Sequence, residues 1–237
     1  SFAQQRLWVL DRLDPGLASY NIPRAFRIRG PLDVEALGRA LGTMEERHEV
    51  LRSVCRLVDG NPVQVVGESR TQPLSVVDLA GLAEGVPDAE MRRVAGEEAR
   101  RPFDLARGPL LRTKLLRVAE QDHVLVVTIH HVVFDGWSGE IFDRELAALY
   151  EAYREGRPSP LPALPIQYAD FAAWQREWLE GEVLEEQIAY WKRQLEGAPA
   201  VLELPESRLR PSSQSFRGAT ETVSIPLEVG QAIRRLG

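Results

Sequence analysis

The stretch His123-Val124-Leu125-Val126-Val127-Thr128-Ile129-His130-His131 limits the possible folds more than any other part of the chain. Val124–Ile129 is apolar at nearly every position, where a strand with one wet face would alternate. Such a strand belongs in the middle of a sheet covered on both faces, so the rest of the chain must supply flanking strands and helices. The surrounding periodicities provide them. Residues 110–118 (LLRTKLLRV) read as a second strand, joined to the first through Glu120-Gln121-Asp122. Residues 24–29 (RAFRIR) alternate as a third, and 50–58 with 62–66 read as a hairpin around Asp59-Gly60-Asn61.

Helical spacing marks residues 2–12, ended by Asp14-Pro15-Gly16, and a helix capped by Asp33 with Val34, Leu37, Leu41 and Met44 on one face. Further helices are predicted over about 88–101, stopped by Pro102, and over about 139–155, where Ile141, Phe142, Leu146, Leu149, Tyr150 and Tyr153 form a stripe. Residues 156–165 (GRPSPLPALP) hold four prolines and break all regular structure. Two tryptophan-rich helices follow at about 166–180 and 182–196, then a loop (ESRLRPSSQSFRG), a strand over Thr220–Ile225, and a last helix reaching Gly237. The expected organisation is a mixed sheet flanked by helices over residues 1–158, with 159–237 as crossover and start of a second, similar lobe. Trp8 and the Trp174–Trp191 region read as core packing.

Composition narrows the chemistry. The 237 residues carry 29 basic and 35 acidic side chains, a net charge of −6, and no basic stripe. That disfavours nucleic acid, whose phosphates need clustered Lys and Arg. No apolar run reaches eighteen residues, so no membrane-spanning helix is expected. Cys55 is alone, which leaves no intramolecular disulfide or cysteine-based zinc site and fits a cytoplasmic location. Ser1–Arg6 has neither the basic nor the apolar region of a secretory signal, and without an initiating methionine it reads as cut from something longer.

Polar residues at the C-terminal end of a central strand, where a helix begins, stand where α/β folds tend to place their sites. Adjacent strand residues point to opposite faces, so of His130 and His131 one enters a cleft and the other packs inside. The same divergence argues against a metal, and His123, beside a turn, reads as structural. Ser138 fits a helix N-cap beside Glu140 better than it fits a nucleophile. Asp135 is either an acid–base partner or an arginine-paired brace for the turn. Gly136 either permits a tight turn or lets a backbone N–H approach a ligand.

The block His130-His131-Val132-Val133-Phe134-Asp135-Gly136-Trp137-Ser138 resembles the His-His-x-x-x-Asp-Gly signature of nonribosomal peptide synthetase condensation domains, relatives of chloramphenicol acetyltransferase. Three further blocks resemble motifs of that family in its order: Ser1-Phe2-Ala3-Gln4-Gln5-Arg6-Leu7-Trp8, Arg47-His48-Glu49-Val50-Leu51-Arg52, and Tyr168-Ala169-Asp170-Phe171-Ala172-Ala173-Trp174. The resemblance implies an α/β, chloramphenicol acetyltransferase-like two-layer sandwich whose second lobe is truncated here. It implies an acyltransferase that forms a peptide bond between a carrier-bound donor thioester and the amine of a carrier-bound acceptor. The continuation Phe134-Asp135-Gly136-Trp137-Ser138 and residues 14–23 resemble the subtype joining two L-residues.

By the same resemblance His131 serves as base or as orienter of the amine, and Gly136 offers its N–H to the oxyanion. His130 and Asp135 are structural, with Arg47 or Arg52 as the ion partner of Asp135. No cofactor is held covalently. Phosphopantetheine arms come from upstream and downstream peptidyl carrier proteins, and an adjacent adenylation domain and the second lobe are the other partners. The chain alone is expected to be inactive. The competing readings are an epimerising relative, another acyltransferase of the superfamily, and a noncatalytic carrier-docking module.

Overall fold

A computed structural model describes residues 1–68, 73–82, 86–200, 221 and 223–236. Ser1–Glu196 forms one compact unit and Gly197–Gly237 a second. The first begins with α1 (Phe2–Leu13), then β1 (Asn21–Arg29) and α2 (Val34–Arg47). The Asp33 side chain accepts from the Ala36 N–H at 2.9 Å, so the predicted cap starts α2. A short 3-10 turn, Glu49–Arg52, takes the place of the first residues expected to be strand. The hairpin is β2 (Ser53–Val58) and β3 (Asn61–Val66). Asp59 and Gly60 both take positive φ, 51° and 79°, the geometry that a tight two-residue hairpin loop requires.

The main sheet holds β4 (Ser75–Asp78), β5 (Leu111–Ala119) and β6 (Asp122–His130) beside β1, in the order β1-β6-β5-β4. β6 is antiparallel to both neighbours and β4 runs parallel to β5, so the sheet is mixed, as expected. β1 is an edge strand, which is why Pro23 is tolerated within it. β4 was not anticipated: four residues give too little alternation to stand out from the polar stretch around them.

β6 is buried from His123 to His130, as a central strand should be. Leu125, Val127 and Ile129 join Leu37, Leu41 and Met44 of α2 in one core with Phe142 and Leu149 of α4 (Gly136–Arg154). Val124 and Val126 pack on the other face with Leu116, Leu79 and Val94 of α3 (Val86–Arg100). Helices thus cover the sheet on both sides, α2 and α4 on one and α3 on the other.

After the proline-rich segment come α5 (Tyr168–Trp178) and α6 (Gly181–Gln194). The expectation that their tryptophans are core is corrected. Trp174, Trp178 and Trp191 are 53%, 49% and 57% exposed, because the sheet's faces are already covered and these helices contribute no residue to either core. Trp174 stacks on Trp178 instead, at 5.4 Å and 9°. Trp8 does pack against the main core.

In the second unit the described helix is α7 (Leu227–Leu236). The predicted loop 206–218 lies outside the described residues, as do Thr220 and Thr222. The described positions of the predicted strand, 221 and 223–225, are not in a strand.

Candidate active site

The two histidines at the end of β6 occupy opposite environments. His130 is 3% exposed, while His131 is exposed. The His130 ring lies edge-on to Phe103 at 5.8 Å and tilted to Tyr20 at 6.4 Å. Its Nδ1 accepts the N–H of Val132 at 3.1 Å, which leaves the ring hydrogen of the neutral form on Nε2. Burial, and secondarily the neighbouring His131, push its pKa down to about 4. His130 is therefore a neutral, hydrogen-bonded part of the interior at physiological pH.

The backbone around His131 is tied on several sides. His131 donates its N–H to Tyr20 O at 2.8 Å, His130 donates to Leu110 O at 3.0 Å, and Val133 donates to His130 O at 3.0 Å. His123 is buried at the far end of the same strand.

Asp135 turns out to be the N-cap of α4. Its Oδ1 accepts the Ser138 N–H at 2.9 Å and the Ser138 hydroxyl at 2.7 Å, and the Asp135 N–H donates back to Ser138 Oγ at 3.3 Å. These bonds from Ser138, backbone before side chain, hold the carboxyl below its usual range against a smaller opposing effect of burial. Two expectations change. The cap is Asp135 rather than Ser138, because α4 begins three residues earlier than its apolar stripe suggested. Among the described residues neither Arg47 nor Arg52 pairs with Asp135.

Both arginines are engaged elsewhere. Arg52 binds Glu49 at 3.2 Å and the Gly67 carbonyl at 2.5 Å. Arg47 reaches Glu145 of α4, with Nε to Oε2 at 3.1 Å and Nη2 to Oε1 at 3.3 Å, and His48 Nε2 stands 2.7 Å from the same Oε2. Burial raises the Glu145 pKa, but hydrogen bonds from His48 and Arg47 outweigh it and hold the carboxyl lowered. Glu145 is a residue that sequence reasoning missed. The available signal was its place within the apolar stripe, three residues after Phe142 and four before Leu149. Arg24 of β1 was also missed. It braces the start of α4 through Asp143 at 2.7 Å and the Gly139 carbonyl at 3.4 Å.

Gly136 is the first residue of α4, where an N–H has no intrahelical acceptor. Its φ lies outside the left-handed region, and a Cβ built on it would meet nothing within 4 Å. The turn therefore does not require glycine. Among the described residues no group of three or more His, Cys, Asp or Glu is placed to hold a metal ion. An exposed imidazole beside the Gly136 N–H, the one N–H of this helix start that the Asp135 cap is not shown to take up, suits proton transfer to or from a positioned substrate, with charge stabilised by a backbone dipole.

The condensation domain family model matches residues 1–237. One of the linear gramicidin synthase subunits of Brevibacillus parabrevis is 49% identical over 236 residues, all of this chain and 3% of that protein. Phosphinothricin tripeptide synthetase PhsC of Streptomyces viridochromogenes is 45% identical over 236 residues, all of this chain and 22% of the relative. Among solved structures, the X-domain from teicoplanin biosynthesis superposes with a TM-score of 0.76 at 32% identity, over 90% of this chain and 46% of that one. The first condensation domain of the calcium-dependent antibiotic synthetase, in complex with substrate analogue 2a, gives 0.72 at 28%, over 83% and 47%. The starter condensation domain of rhizomide synthetase RzmA, at 23% identity, shares the fold with a TM-score of 0.74. The chain spans about half the length of these solved chains and a small part of the curated relatives.

Proposed function

The chain belongs to the condensation domain family, and from that premise we propose that it is the His131-bearing half of a domain that forms peptide bonds between carrier-bound thioesters. The donor acyl or peptidyl group and the acceptor aminoacyl group arrive on phosphopantetheine arms of upstream and downstream carrier proteins. The acceptor amine attacks the donor thioester carbonyl. The C–N bond forms, the C–S bond breaks, and the amine's proton ends on the departing thiol. A thioester is already activated, so the protein needs no nucleophile. It needs a neutral amine, whose ordinary pKa is about 7.7–8.0, and it needs to hold both reactants in register, an effect worth roughly 7–11 kcal/mol.

His131 is the base or orienter for that amine, and the Gly136 N–H faces the oxyanion of the tetrahedral intermediate. His130 and Asp135 shape the site without touching substrate, and Arg47 and Arg52 act further back as structural residues. Residues 1–158 form the first lobe and 159–237 the crossover into a second. The solved relatives' doubled length supports a further lobe, while α5 and α6 of the crossover belong to the same compact unit as the first. An adenylation domain neighbours it in a cytoplasmic synthetase, and both substrates are L-configured.

The observation that carries this reading is the exposed His131 at the end of a buried central strand, beside Gly136 at the start of α4. The test is His131→Ala in a complete domain carrying this chain, with both carriers loaded and product followed by mass spectrometry. A single-turnover rate down by about 10²–10⁴-fold is expected, and a rate near wild type would remove the role. A second reading, a module that docks another protein without catalysing, draws on the similarity to the teicoplanin X-domain, which is also solved in a complex with OxyB. Under it His131→Ala would leave the protein's function untouched.

A further inference from the structure

Gln4 of α1 is 9% exposed, one of few polar side chains in the interior. Both hydrogens of its amide nitrogen are used. Nε2 donates to the Val132 carbonyl at 3.2 Å and to Gln64 Oε1 of β3 at 3.2 Å. Gln64 in turn donates to Ser53 Oγ at 2.9 Å, and the Ser53 hydroxyl donates to the Glu49 carbonyl at 2.7 Å. With each hydrogen assigned, the Gln4 amide plane has a single orientation.

Val132 directly follows His131. The main chain there is held by three bonds from three directions: His131 N–H to Tyr20 O, Val132 N–H to the His130 ring, and Val132 O from Gln4. The first comes from the residue before β1 and the second from β6 itself. The third ties the turn to α1 and, through Gln64, to the β2–β3 hairpin. We propose that Gln4 is a positioning residue for His131, fixing the peptide that follows it so that the imidazole meets the acceptor amine at a set distance and angle. This rests on the reading of His131 given above. A displacement of about 1 Å at a reacting group can cost roughly 10²-fold in rate, and a buried carbonyl that loses its donor will move to find another.

The experiment is a double-mutant cycle in a complete domain carrying this chain, with both carriers loaded: wild type, Gln4→Met, His131→Ala and the double variant. Methionine keeps the shape of glutamine and offers no donor. Gln4→Met is expected to lower the single-turnover rate at saturating acceptor carrier by about fivefold or more, with its apparent KM changed less than about twofold. In the His131→Ala background the same substitution should have no effect, since there is no imidazole left to place. A smaller rate loss, a KM rising in proportion, or an equal loss without His131 would overturn the proposal in favour of a general structural role. If Gln4→Met does not fold, Gln64→Met on the half-buried hairpin removes one of the amide's partners, leaving the Ser1 nitrogen on Oε1 at 2.9 Å and the Val132 carbonyl; its rate should also fall, and only when His131 is present, and an unchanged rate overturns the idea. Full activity of His131→Ala itself would instead bring down the role of His131, whereas an inactive His131→Ala beside a wild-type-like Gln4→Met refutes the Gln4 inference alone.

Discussion

Replacing His130 by asparagine measures what the buried ring contributes. In the unfolded chain its pKa is 6.5, and in the fold burial and then His131 bring it to about 4. Below pH 6.5 the unfolded chain takes up a proton that the folded chain refuses until about pH 4. Wild-type stability therefore falls as pH drops through that window and levels off beneath it. Linkage puts the loss at about 2 kcal/mol by pH 5 and about 3 kcal/mol by pH 4. Asparagine presents a carbonyl oxygen near the place of Nδ1, so the Val132 N–H keeps an acceptor that does not titrate. The void left beside Phe103 and Tyr20 lowers stability by about 1–3 kcal/mol at every pH. Urea unfolding of both proteins, from about pH 7.5 down to about pH 4, separates the constant offset from the pH-dependent part. Carboxylates titrating in the same range cancel in the difference. The wild-type advantage should shift by about 3 kcal/mol as pH falls, vanishing or reversing by about pH 4. A gap that stays constant to within about 0.5 kcal/mol would refute the claim that the folded ring is held neutral.

Asp135→Ala removes an N-cap rather than a buried ion pair, so unfolding should show a loss of about 0.5–2 kcal/mol; a loss of about 3–5 kcal/mol would mean an ion pair that the geometry lacks. Gly136→Ala should leave the melting curve within about 0.5 kcal/mol of wild type, because the added Cβ meets nothing within 4 Å, yet slow condensation in a complete domain; an unchanged rate would end the close-approach reading. Glu145→Ala strands the Arg47 guanidinium against a 10%-exposed site, and thermal melting should register a loss of about 3 kcal/mol, with a shift under about 2 °C counting against it. Mixed with both loaded carriers, the 237-residue chain alone should give no dipeptidyl product; turnover by the monomeric chain would overturn the two-lobe reading.

Much of this fold is legible in single segments. The nearly continuous apolar run of β6 announces a doubly covered sheet, and Asp33 and Asp59-Gly60 declare a helix start and a hairpin through their own backbone preferences. What stays hidden are relations between segments. Asp135 has two chemically sensible partners, an arginine far along the chain or the serine three residues on, and local geometry chose the serine. Once it did, Arg47 was free for Glu145, whose burial depends on how α2 and α4 pack. The tryptophans of α5 and α6 mislead for a related reason. Large aromatic side chains usually mark a core, but whether a core is available depends on what already covers the sheet.

The separation of His130 from His131 follows from one property of a strand, its two-residue period, applied where the strand ends. The buried ring packs against Phe103 and Tyr20 and bonds the Val132 N–H, so it stiffens the peptide that carries its exposed neighbour. The start of α4 is held in the same way from several sides, by the Asp135–Ser138 cap, by Arg24 on Asp143, and by the Arg47–Glu145–His48 cluster one face further in. Such rigidity suits the proposed aminolysis of a thioester, a reaction whose activation is already present in the substrate and in which position is the main contribution left to a protein. It also sorts the residues by the kind of damage their loss should cause. Substitutions in the frame should lower stability and rate together. Loss of the His131 ring, which is exposed, should lower rate and leave unfolding unchanged. A His131→Ala domain that melts well below wild type would show that the ring belongs to the frame after all, and the division between the two histidines would fail.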